Sequence, residues 1–265
     1  MEYTRLGTTD ITISRLCLGG MSFGRVFPDF HQWVIDQEAT RAVIARALEL
    51  GVNFIDTANV YAHGTSEEFI GASLKNLGVA RADVVLASKV YFNEGHLSRA
   101  AIEREIDGTL KRLGTDYLDL YIIHRFDYAT PIEETMEALD SLVRSGRVRA
   151  LGASAMYAYQ LHNMQVVADV GGWTRFSSMK VIQWAHGGAL LFGPFMCGWA
   201  TVLQPSFSRA ECTSRRPECS GVGRRGPRCQ VGSSSASPSQ RRRAPRSARS
   251  SGNRRARHLT RENVC

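Results

Sequence analysis

Four polar side chains of reactive types stand at the ends of apolar runs in the first half of the sequence. Asp56 and Tyr61 lie five residues apart after the run VNFI, Lys89 ends the run DVVLASK, and His124 ends the run LDLYIIH. A carboxylate, a phenol, an ammonium and an imidazole are the groups needed to protonate a carbonyl oxygen while a hydride arrives at its carbon. A free phenol has a pKa of about 10, so a nearby positive charge is needed to stabilise its phenolate near neutral pH. The pattern therefore indicates acid–base chemistry on a carbonyl group.

Each of these residues has an ordinary structural interpretation when it is taken alone. An Asp at a strand end often caps a helix, and a Tyr in a loop usually packs against its neighbours. A Lys is usually a solvated charge, and a His after an apolar strand is usually a buried residue with its hydrogen bonds made. The chemical interpretation gains its weight because all four residue types occur at comparable positions of successive segments.

The elements that must position these residues alternate regularly between strand-like and helix-like segments. Strands are predicted at ITISRLCLGG, VNFIDTA, DVVLASK, LDLYIIH, VRALGAS and residues 175–181. Helices are predicted over 36–50, 66–77, 98–113, 131–145 and 158–170, with Ser66 and Ser98 as N-caps and Pro at the first position of the fourth. Strands alternating with helices of this length predict βαβ units and a parallel sheet. The strands are apolar almost throughout, as expected when both faces of a sheet are covered.

The polar residues of this sheet fall at the carboxyl ends of its strands. Asp56, Lys89, His124 and Ser154 all end such runs. In a β/α barrel these ends form the catalytic face, and in an open doubly wound sheet they line the ligand crevice. No G-x-G-x-x-G follows the first strand, which weighs against a dinucleotide-binding doubly wound sheet.

Charge and cysteine usage differ sharply along the chain. Residues 209–265 hold 15 Arg, no Lys and 3 Glu, a net +12, whereas residues 1–208 carry 18 basic and 22 acidic side chains. A basic, aromatic-free segment of this kind is expected to be disordered, and it leaves open an RNA-binding or DNA-binding arm. The six Cys form no CxxC pair, so neither a metal site nor a disulfide framework is predicted. The first residues hold no apolar signal segment, and a cytoplasmic location without membrane insertion is expected.

The motifs of residues 3–179 resemble those of the aldo-keto reductases, especially fungal and bacterial members near the potassium-channel β-subunit branch. The resemblance is carried by SRLCLGGMSFG, GVNFIDTANVYAHGTSEEFIG, LASKV, LKRLGTDYLDLYIIHRFDYATPIEETMEALDSLVRSGRVRALGAS and GWTRFSSM, in that order. It implies a (β/α)8 barrel of the TIM type that uses NADPH to reduce aldehydes and ketones.

The resemblance also implies a role for each of the four reactive residues. Tyr61 would be the general acid that protonates the carbonyl oxygen, and Lys89 beside it would stabilise the phenolate. Asp56 would pair with Lys89 and hold it in place. His124 would donate a hydrogen bond to the substrate oxygen and orient it.

Cofactor contacts carry over by the same resemblance. Gly20 and Met21 would lie near the nicotinamide ribose and pyrophosphate, together with Asp56. Ser154 would bind the nicotinamide carboxamide. Ala155 stands where the family usually has Asn, Ser or Arg, and Lys180 stands where it has Gln.

The family pattern ends at Lys180, and this divides the sequence into three predicted parts. Residues 1–180 would form about six βα units of an incomplete barrel, 181–208 an uncharged apolar segment of unclear structure, and 209–265 a disordered Arg/Ser-rich tail. A frameshift or a retained intron near residue 180 is the hypothesis that explains the abrupt change in composition.

Three functions follow from these observations. The first is NADPH-dependent reduction of a small carbonyl compound, the second a catalytically inactive or regulatory homologue, and the third nucleic-acid binding by the Arg-rich tail. The loop 25–33 with Phe23, Phe27, Phe30 and Trp33 hints at an aromatic or polyketide substrate, and the alternative is that these rings only pack over the barrel mouth.

Overall fold

The structure is a computed structural model that describes residues 1–180, in which strands and helices alternate. The strands are β1 (Tyr3–Arg5), β2 (Thr12–Ser14), β3 (Cys17–Gly19), β4 (Phe54–Asp56), β5 (Val85–Val90), β6 (Leu118–Ile123), β7 (Val148–Ser154) and β8 (Phe176–Lys180). The helices are α1 (Gln37–Glu49), α2 (Thr65–Asn76), α3 (Arg99–Leu113), α4 (Ile132–Arg144) and α5 (Ala158–Gly171). Two short 3-10 turns, Tyr61–Gly64 and Arg81–Asp83, follow β4 and precede β5.

Strands β3 to β8 form one parallel sheet in the order of the chain. Each strand pairs in parallel with the next, from β3–β4 through to β7–β8. A doubly wound sheet would reverse its strand order at a switch point, and the described strands show no reversal. The predicted β/α-barrel type is therefore confirmed, with six of its βα strands in the described residues.

Alternate residues of the strands belong to two separate hydrophobic cores. Ile55, Leu86 and Tyr121 belong to the core between the sheet and its helices. Their neighbours along the strands belong to the core on the inner face, whose members from the sheet are Phe54, Val85, Ala87, Leu120, Ile122 and Ala150. Because successive side chains of a strand point to opposite faces, covering both faces requires apolar residues at nearly every position.

An N-terminal hairpin covers the inner core. Strands β1 and β2 pair antiparallel, and Leu6, Ile11 and Ile13 pack with the inner-face residues of the sheet. The prediction that ITISRLCLGG is one strand is wrong. Ser14 Oγ donates to the Leu16 carbonyl at 2.6 Å, and the chain bends there, so its first half pairs with β1 and its second half joins the parallel sheet.

The far end of this hairpin reaches the last described strand. Gly7 has φ +57°, and a Cβ at this position would overlap the backbone carbonyl of Ser177 in β8. Only glycine fits this close approach of two backbones. The hairpin therefore covers the inner face and extends as far as β8.

Most of the predicted helix ends agree with the structure. Asp36 caps α1 by accepting from Ala39 N at 2.9 Å, Ser98 caps α3, and Gly114 ends α3 in the left-handed conformation. The prediction that Pro131 is the first residue of α4 is wrong by one position, because Pro131 is the N-cap residue and α4 begins at Ile132.

The prediction that Ser66 caps α2 is wrong, because Gly64 is the N-cap residue. Ser66 is buried inside the helix, where its hydroxyl donates to the Gly20 carbonyl at 2.7 Å and lies 2.8 Å from Thr57 Oγ1. Ser66 therefore ties the loop after β3 to the end of β4.

A buried carboxylate joins three elements at the amino ends of the strands. Asp119 in β6 accepts from Arg81 Nη2 at 2.7 Å and from Leu86 N at 2.9 Å through Oδ2, and from Arg149 Nη1 at 2.8 Å through Oδ1. Both oxygens of this carboxylate are therefore hydrogen-bonded.

The predictions for residues 181–208 and 209–265, including the disordered tail, the nucleic-acid-binding arm and the frameshift near residue 180, lie outside the described residues. No helix in the part of the chain that the structure describes is long and apolar enough to span a bilayer.

Candidate active site

Lys89 lies at the centre of a polar cluster at the carboxyl ends of the strands. Its side chain is fully buried at the end of β5, and its ammonium donates to Asp56 Oδ2 at 2.7 Å, to the Thr57 carbonyl at 2.7 Å and to the Tyr61 hydroxyl at 3.3 Å. An ammonium has three N–H donors, and these three contacts use all of them. The cluster thus fixes the Lys89 charge beside the Tyr61 hydroxyl.

Asp56 provides the negative charge that keeps this buried ammonium compensated. It ends β4, where it pairs in register with Ala87, two residues before Lys89. Residues two apart share a face of a strand, so the Lys89 side chain continues the inner face to which Ala87 belongs. Burial acts to raise the pKa of Asp56, but the charges of Lys180 and Lys89 and their hydrogen bonds outweigh it, so the pKa is lowered and Asp56 stays ionised.

Tyr61 is held by a strained turn. It begins the 3-10 turn after β4, in which Ala62 and His63 have φ values of 45° and 53°. Thr65 Oγ1 donates to the Ala62 carbonyl at 2.7 Å and supports this backbone. Left-handed conformations of non-glycine residues cost roughly 1–2 kcal/mol each and concentrate at functional sites. The turn brings the Tyr61 ring to 4.8 Å from Lys89 Nζ, measured to the ring centroid.

His124 stands next to Tyr61 at the end of β6. Its ring meets the Tyr61 ring edge-on at a centroid distance of 5.8 Å, and its backbone N–H donates to the Val90 carbonyl at 2.9 Å. Burial, followed by the positive charge of Lys89, lowers the pKa of His124 to about 3. The imidazole is therefore neutral near pH 7, with one ring nitrogen a donor and the other an acceptor.

Lys180 joins the cluster from the last described strand, a contact that the sequence did not predict. Its ammonium lies 3.1 Å from the same Asp56 Oδ2 that Lys89 binds, and only 11% of its side chain is exposed. The sequence marked Lys180 only as a departure from the family pattern. Its place directly at the end of a predicted strand was the signal that could have assigned it to the site.

The residues predicted to bind the cofactor lie at the same end of the sheet. Gly20 N donates to the Asp56 carbonyl at 2.7 Å, and Met21 follows it half-buried. Ser154 pairs in register with Lys180. Ala155 has φ 47°, and its N–H donates to the Lys180 carbonyl at 3.3 Å.

Two buried polar atoms of this cluster have no hydrogen-bond partner among residues 1–180. They are Asp56 Oδ1, an acceptor, and His124 Nδ1. Buried polar atoms are nearly always paired, so unpaired ones point to a missing ligand or water. A carboxylate oxygen that lacks a donor, with the Ser154 hydroxyl at the same sheet end, fits the sugar and carboxamide of a nicotinamide nucleotide. No group of His, Cys, Asp or Glu in the described residues could hold a metal ion.

A cavity of about 630 Å³ opens beside this cluster. Its lining comes from the loops after β5, β6 and β7, from the first turn of α5 and from β8: Tyr91, Arg125, Phe126, Tyr128, Ala155, Met156, Tyr157, Gln160 and Met179. Aromatic rings supply much of this wall. These tyrosines and Phe126 were not among the predicted site residues, although each follows a predicted strand end closely.

The aromatic residues of loop 25–33 do not line this cavity. Phe27 packs edge-on against His63 at a centroid distance of 4.7 Å, and Trp33 stacks on His31 at 4.4 Å. Phe23 is fully buried in the core between sheet and helices. These contacts favour the packing interpretation of that loop.

A family model described as "Aldo/keto reductase family" matches residues 15–183 of the chain. An aldo-keto reductase of Fusarium vanettenii is 38% identical in an alignment of 210 residues that covers 68% of this chain and 56% of the relative. The versiconal hemiacetal acetate reductase of Aspergillus parasiticus is 38% identical over 203 residues, covering 68% of this chain and 58% of the relative.

A solved structure of a thermostable aldo-keto reductase in complex with the inhibitor epalrestat has a TM-score of 0.60 and 34% sequence identity to this chain. The alignment covers 68% of this chain and 62% of that one. The chain spans a little over half the length of the curated relatives that it matches.

Proposed function

The chain belongs to the aldo/keto reductase family, and from that premise we propose that it reduces an aldehyde or ketone to an alcohol with NADPH as the hydride donor. The observation that carries the proposal is the contact of the buried Lys89 ammonium with both the Asp56 carboxylate and the Tyr61 hydroxyl. The cluster lies at the carboxyl ends of parallel strands, where barrel enzymes hold their active sites.

Tyr61 is the proton donor in this proposal. Its hydroxyl gives a proton to the carbonyl oxygen as negative charge develops there, and the phenolate that remains is stabilised by the Lys89 ammonium at 3.3 Å. Asp56 keeps Lys89 in position through the bond at 2.7 Å. The phenolate regains its proton from solvent after the alcohol leaves.

His124 orients the substrate. A neutral imidazole donates one hydrogen bond without adding a positive charge to a site that already holds two lysines. Its edge-on contacts with Tyr61 and Phe92 fix the plane of the ring. The substrate oxygen is thereby held between the Tyr61 hydroxyl and the His124 ring.

The nicotinamide ring, when bound, supplies the hydride to the carbonyl carbon. Gly20, Met21, Asp56, Ser154 and Ala155 would hold this half of the nucleotide. Ala155 adds only a methyl group there, and Ser154 offers a hydroxyl.

The substrate that suits the cavity is a carbonyl compound with an aromatic ring, of the kind found among polyketides. The support is the wall of Tyr91, Phe126, Tyr128 and Tyr157, since aromatic rings stack on one another favourably. The name of the Aspergillus parasiticus relative, a reductase of versiconal hemiacetal acetate, agrees with this substrate class. A cytoplasmic location is part of the same proposal.

Titration of the full chain with NADPH, followed by Trp fluorescence and then by consumption of NADPH with aryl and alkyl aldehydes, tests the function. We expect the Tyr61→Phe variant to lose about 10²–10⁴-fold in kcat, while NADPH binding changes little. Equal turnover by Tyr61→Phe and the unaltered chain would exclude the proposed proton donor. Preference for the alkyl aldehyde would exclude the aromatic substrate class and leave the proposed reductase activity standing.

A second candidate function is a regulatory protein that has lost catalysis. Lys180 and Ala155 favour it, because they replace residues that bind the carboxamide in the family pattern. The same titration separates the two candidates. Absence of NADPH binding, together with a folded chain by circular dichroism, would support the regulatory function.

A further inference from the structure

The wall of the aromatic cavity carries one charged side chain. In the part of the wall that residues 1–180 supply, Arg125 is the only charged residue, and the others are aromatic, apolar or polar and neutral. No Asp or Glu of the described residues lines the cavity. A molecule that fills this space therefore meets aromatic rings and a single positive charge.

Arg125 differs from the other arginines in its surroundings. Most arginines of residues 1–180 form an ion pair with an Asp or Glu. The three in this range that do not are Arg5, Arg41 and Arg125, and of these only Arg125 is half-buried. Its guanidinium is thus partly withdrawn from water and has no carboxylate among the described residues.

The carboxylate nearest to Arg125 in the sequence is occupied by other donors. Asp127 Oδ1 accepts from Ala129 N at 2.8 Å, and Asp127 Oδ2 accepts from Leu97 N at 3.2 Å and from Thr130 Oγ1 at 2.6 Å. Asp127 therefore serves to shape its own loop and to hold the residue before α3.

Phe92 holds the Arg125 guanidinium close to the reacting atoms. The guanidinium carbon lies 5.2 Å from the centroid of the Phe92 ring, a cation–π contact, and Phe92 meets the His124 ring edge-on at a centroid distance of 5.0 Å. Laid end to end, these distances place the guanidinium no more than about 10 Å from the His124 ring. In the proposed function His124 orients the carbonyl oxygen, so Arg125 can contact the far side of a small substrate.

A guanidinium in this position suits a carboxylate. Its planar set of N–H donors matches the two oxygens of a carboxylate, and bonds of this charge-assisted kind are stronger than those between neutral groups. The tyrosines and Phe126 of the same wall can stack on an aromatic ring that joins this carboxylate to the carbonyl. A substrate without an acid group would leave the guanidinium unpaired.

We propose that Arg125 selects carbonyl substrates that carry an acid group, and that the preferred substrate is an aromatic aldehyde or ketone with a carboxylate on the side of the ring away from the carbonyl. The inference rests on the proposed function, since it takes carbonyl reduction at Tyr61 and His124 as its premise. Arg125 is then a specificity-determining residue that binds the substrate and takes no part in proton transfer.

The test compares two aldehydes of nearly the same shape. 4-Carboxybenzaldehyde is ionised near pH 7, and its methyl ester, methyl 4-formylbenzoate, carries no charge. The quantity that decides is kcat/KM for the acid divided by kcat/KM for the ester, measured with NADPH on the full chain and on single variants. Arg125→Met removes the charge, and Arg125→Lys keeps it without the planar fork. Arg41→Met, at an exposed position of α1 that also lacks an ion pair in residues 1–180, is the matched control.

We expect the unaltered chain to favour the acid, and this ratio to fall about 10- to 100-fold in Arg125→Met. Arg125→Lys should show a smaller fall, and Arg41→Met should stay within about twofold of the unaltered chain. The change should appear mainly in KM, because the bond to the carboxylate is present in the ground state and in the transition state alike. A merely structural role of Arg125 would lower kcat/KM for both aldehydes and leave their ratio unchanged.

A phosphate of NADPH is the other anion that could meet this guanidinium. The dissociation constant of NADPH, measured by Trp fluorescence on the same variants, distinguishes the two. Weaker NADPH binding by Arg125→Met together with an unchanged ratio of the two aldehydes would assign Arg125 to the nucleotide and overturn the proposal.

The remaining outcomes separate this inference from the proposed function. If the unaltered chain reduces neither these aldehydes nor the aryl and alkyl aldehydes named above, the proposed function fails and this inference fails with it. If it reduces both the acid and the ester, and folded Arg125→Met keeps the same ratio, only the role of Arg125 is overturned. A fall of tenfold or more in Arg125→Met, without such a fall in Arg41→Met, supports that role.

Discussion

The sheet holds a buried carboxylate between two cations at each of its ends, and the two differ in how their oxygens are satisfied. At the amino ends, Asp119 uses both oxygens, one for Arg149 and the other for Arg81 and a backbone N–H. At the carboxyl ends, Asp56 gives one oxygen to both lysines, and its buried Oδ1 has no partner in the described residues. A completed network stabilises the fold, whereas an incomplete one marks a place prepared for a ligand.

The choice of cation at each end agrees with this difference. The guanidinium of Arg81 is a planar fork, and its three nitrogens bind Asp119, Thr115 Oγ1 and the carbonyls of Val84 and Tyr117. The lysines at the other end are compact point charges on flexible stems. A rigid fork fixes neighbouring strands, and a point charge is suited to stabilising charge that appears during a reaction.

Backbone strain follows the same division. The non-glycine residues with positive φ in residues 1–180 are Ala62, His63, His96 and Ala155. All four lie in loops that leave the carboxyl ends of the strands. Strain at one end and a fully hydrogen-bonded carboxylate at the other indicate that the two ends serve different purposes.

The largest expected effect comes from removing a lysine at the carboxyl ends. Lys89→Met should lower kcat for carbonyl reduction by about 10²–10⁴-fold, because the Tyr61 phenolate loses its stabilising charge. Steady-state kinetics measures the loss, and thermal unfolding checks the fold. The matched variant at the other end, Arg81→Met, should lower stability and keep activity per folded molecule. The assignment of catalysis to the carboxyl ends and of stability to the amino ends would be contradicted if Arg81→Met were the less active of the two variants while both stay folded.

Removal of the amino-end carboxylate should produce the largest change in stability. Asp119→Ala leaves Arg81, Arg149 and the Leu86 N–H without their acceptor, and we expect a loss of about 3–5 kcal/mol in the free energy of unfolding. Urea denaturation measures it. Asp10→Ala is the control, because Asp10 is an exposed carboxylate that also contacts Arg149 and should matter by less than about 1 kcal/mol. Similar losses in the two variants would contradict the role given to Asp119.

A smaller effect should appear in the pH dependence of stability. The pKa of His124 is about 3 in the folded chain and near 6.5 when unfolded, so between these values only the unfolded state takes up the proton. The contribution of neutral His124 to the free energy of unfolding should be fully present above pH 6.5 and should be lost as the pH drops toward 3.

Urea denaturation at a series of pH values checks this expectation. His124→Gln should remove part of the decline, whereas His162→Gln, at an exposed position, should leave it unchanged. Equal declines in the unaltered chain and in His124→Gln would show that His124 does not titrate in this way.

The smallest expected effect is the relief of strain at one loop. Ala155 has φ 47°, which costs roughly 1–2 kcal/mol for an L-residue other than glycine. Ala155→Gly should therefore raise the free energy of unfolding by roughly 0.5–1 kcal/mol, after the entropy of the glycine is counted. Ala80→Gly, at φ −68°, should lower it instead. Losses in both variants would show that the backbone at Ala155 is not strained.

The order of strands and helices could be predicted because each segment carries its own signal. Strands covered on both faces are apolar throughout, and helix ends such as Asp36, Ser98 and Gly114 are marked by local hydrogen bonding. The break inside ITISRLCLGG could not be predicted, since it depends on pairing with β1 and on a parallel register with β4.

The candidate site was predictable to a similar degree. Asp56, Tyr61, Lys89 and His124 come together as the positions at strand ends suggested. The strand-end position of Lys180 could have placed it at this end of the sheet, but its contact with Asp56 joins residues far apart in the chain and depends on the tertiary fold. The position of Ser66 was misjudged for the same reason, because its partners Gly20 and Thr57 belong to other elements.

Because Gly7 packs against Ser177, the N-terminal hairpin can complete its contacts only after β8 has been synthesised. The two residues are about 170 positions apart, so the hairpin leaves the ribosome long before the β8 residues against which it packs have been synthesised. At about 5–20 residues per second, the wait is roughly 10–35 seconds. During that interval Leu6, Ile11 and Ile13 have only part of their inner core to pack against, and chaperones have time to bind this hairpin.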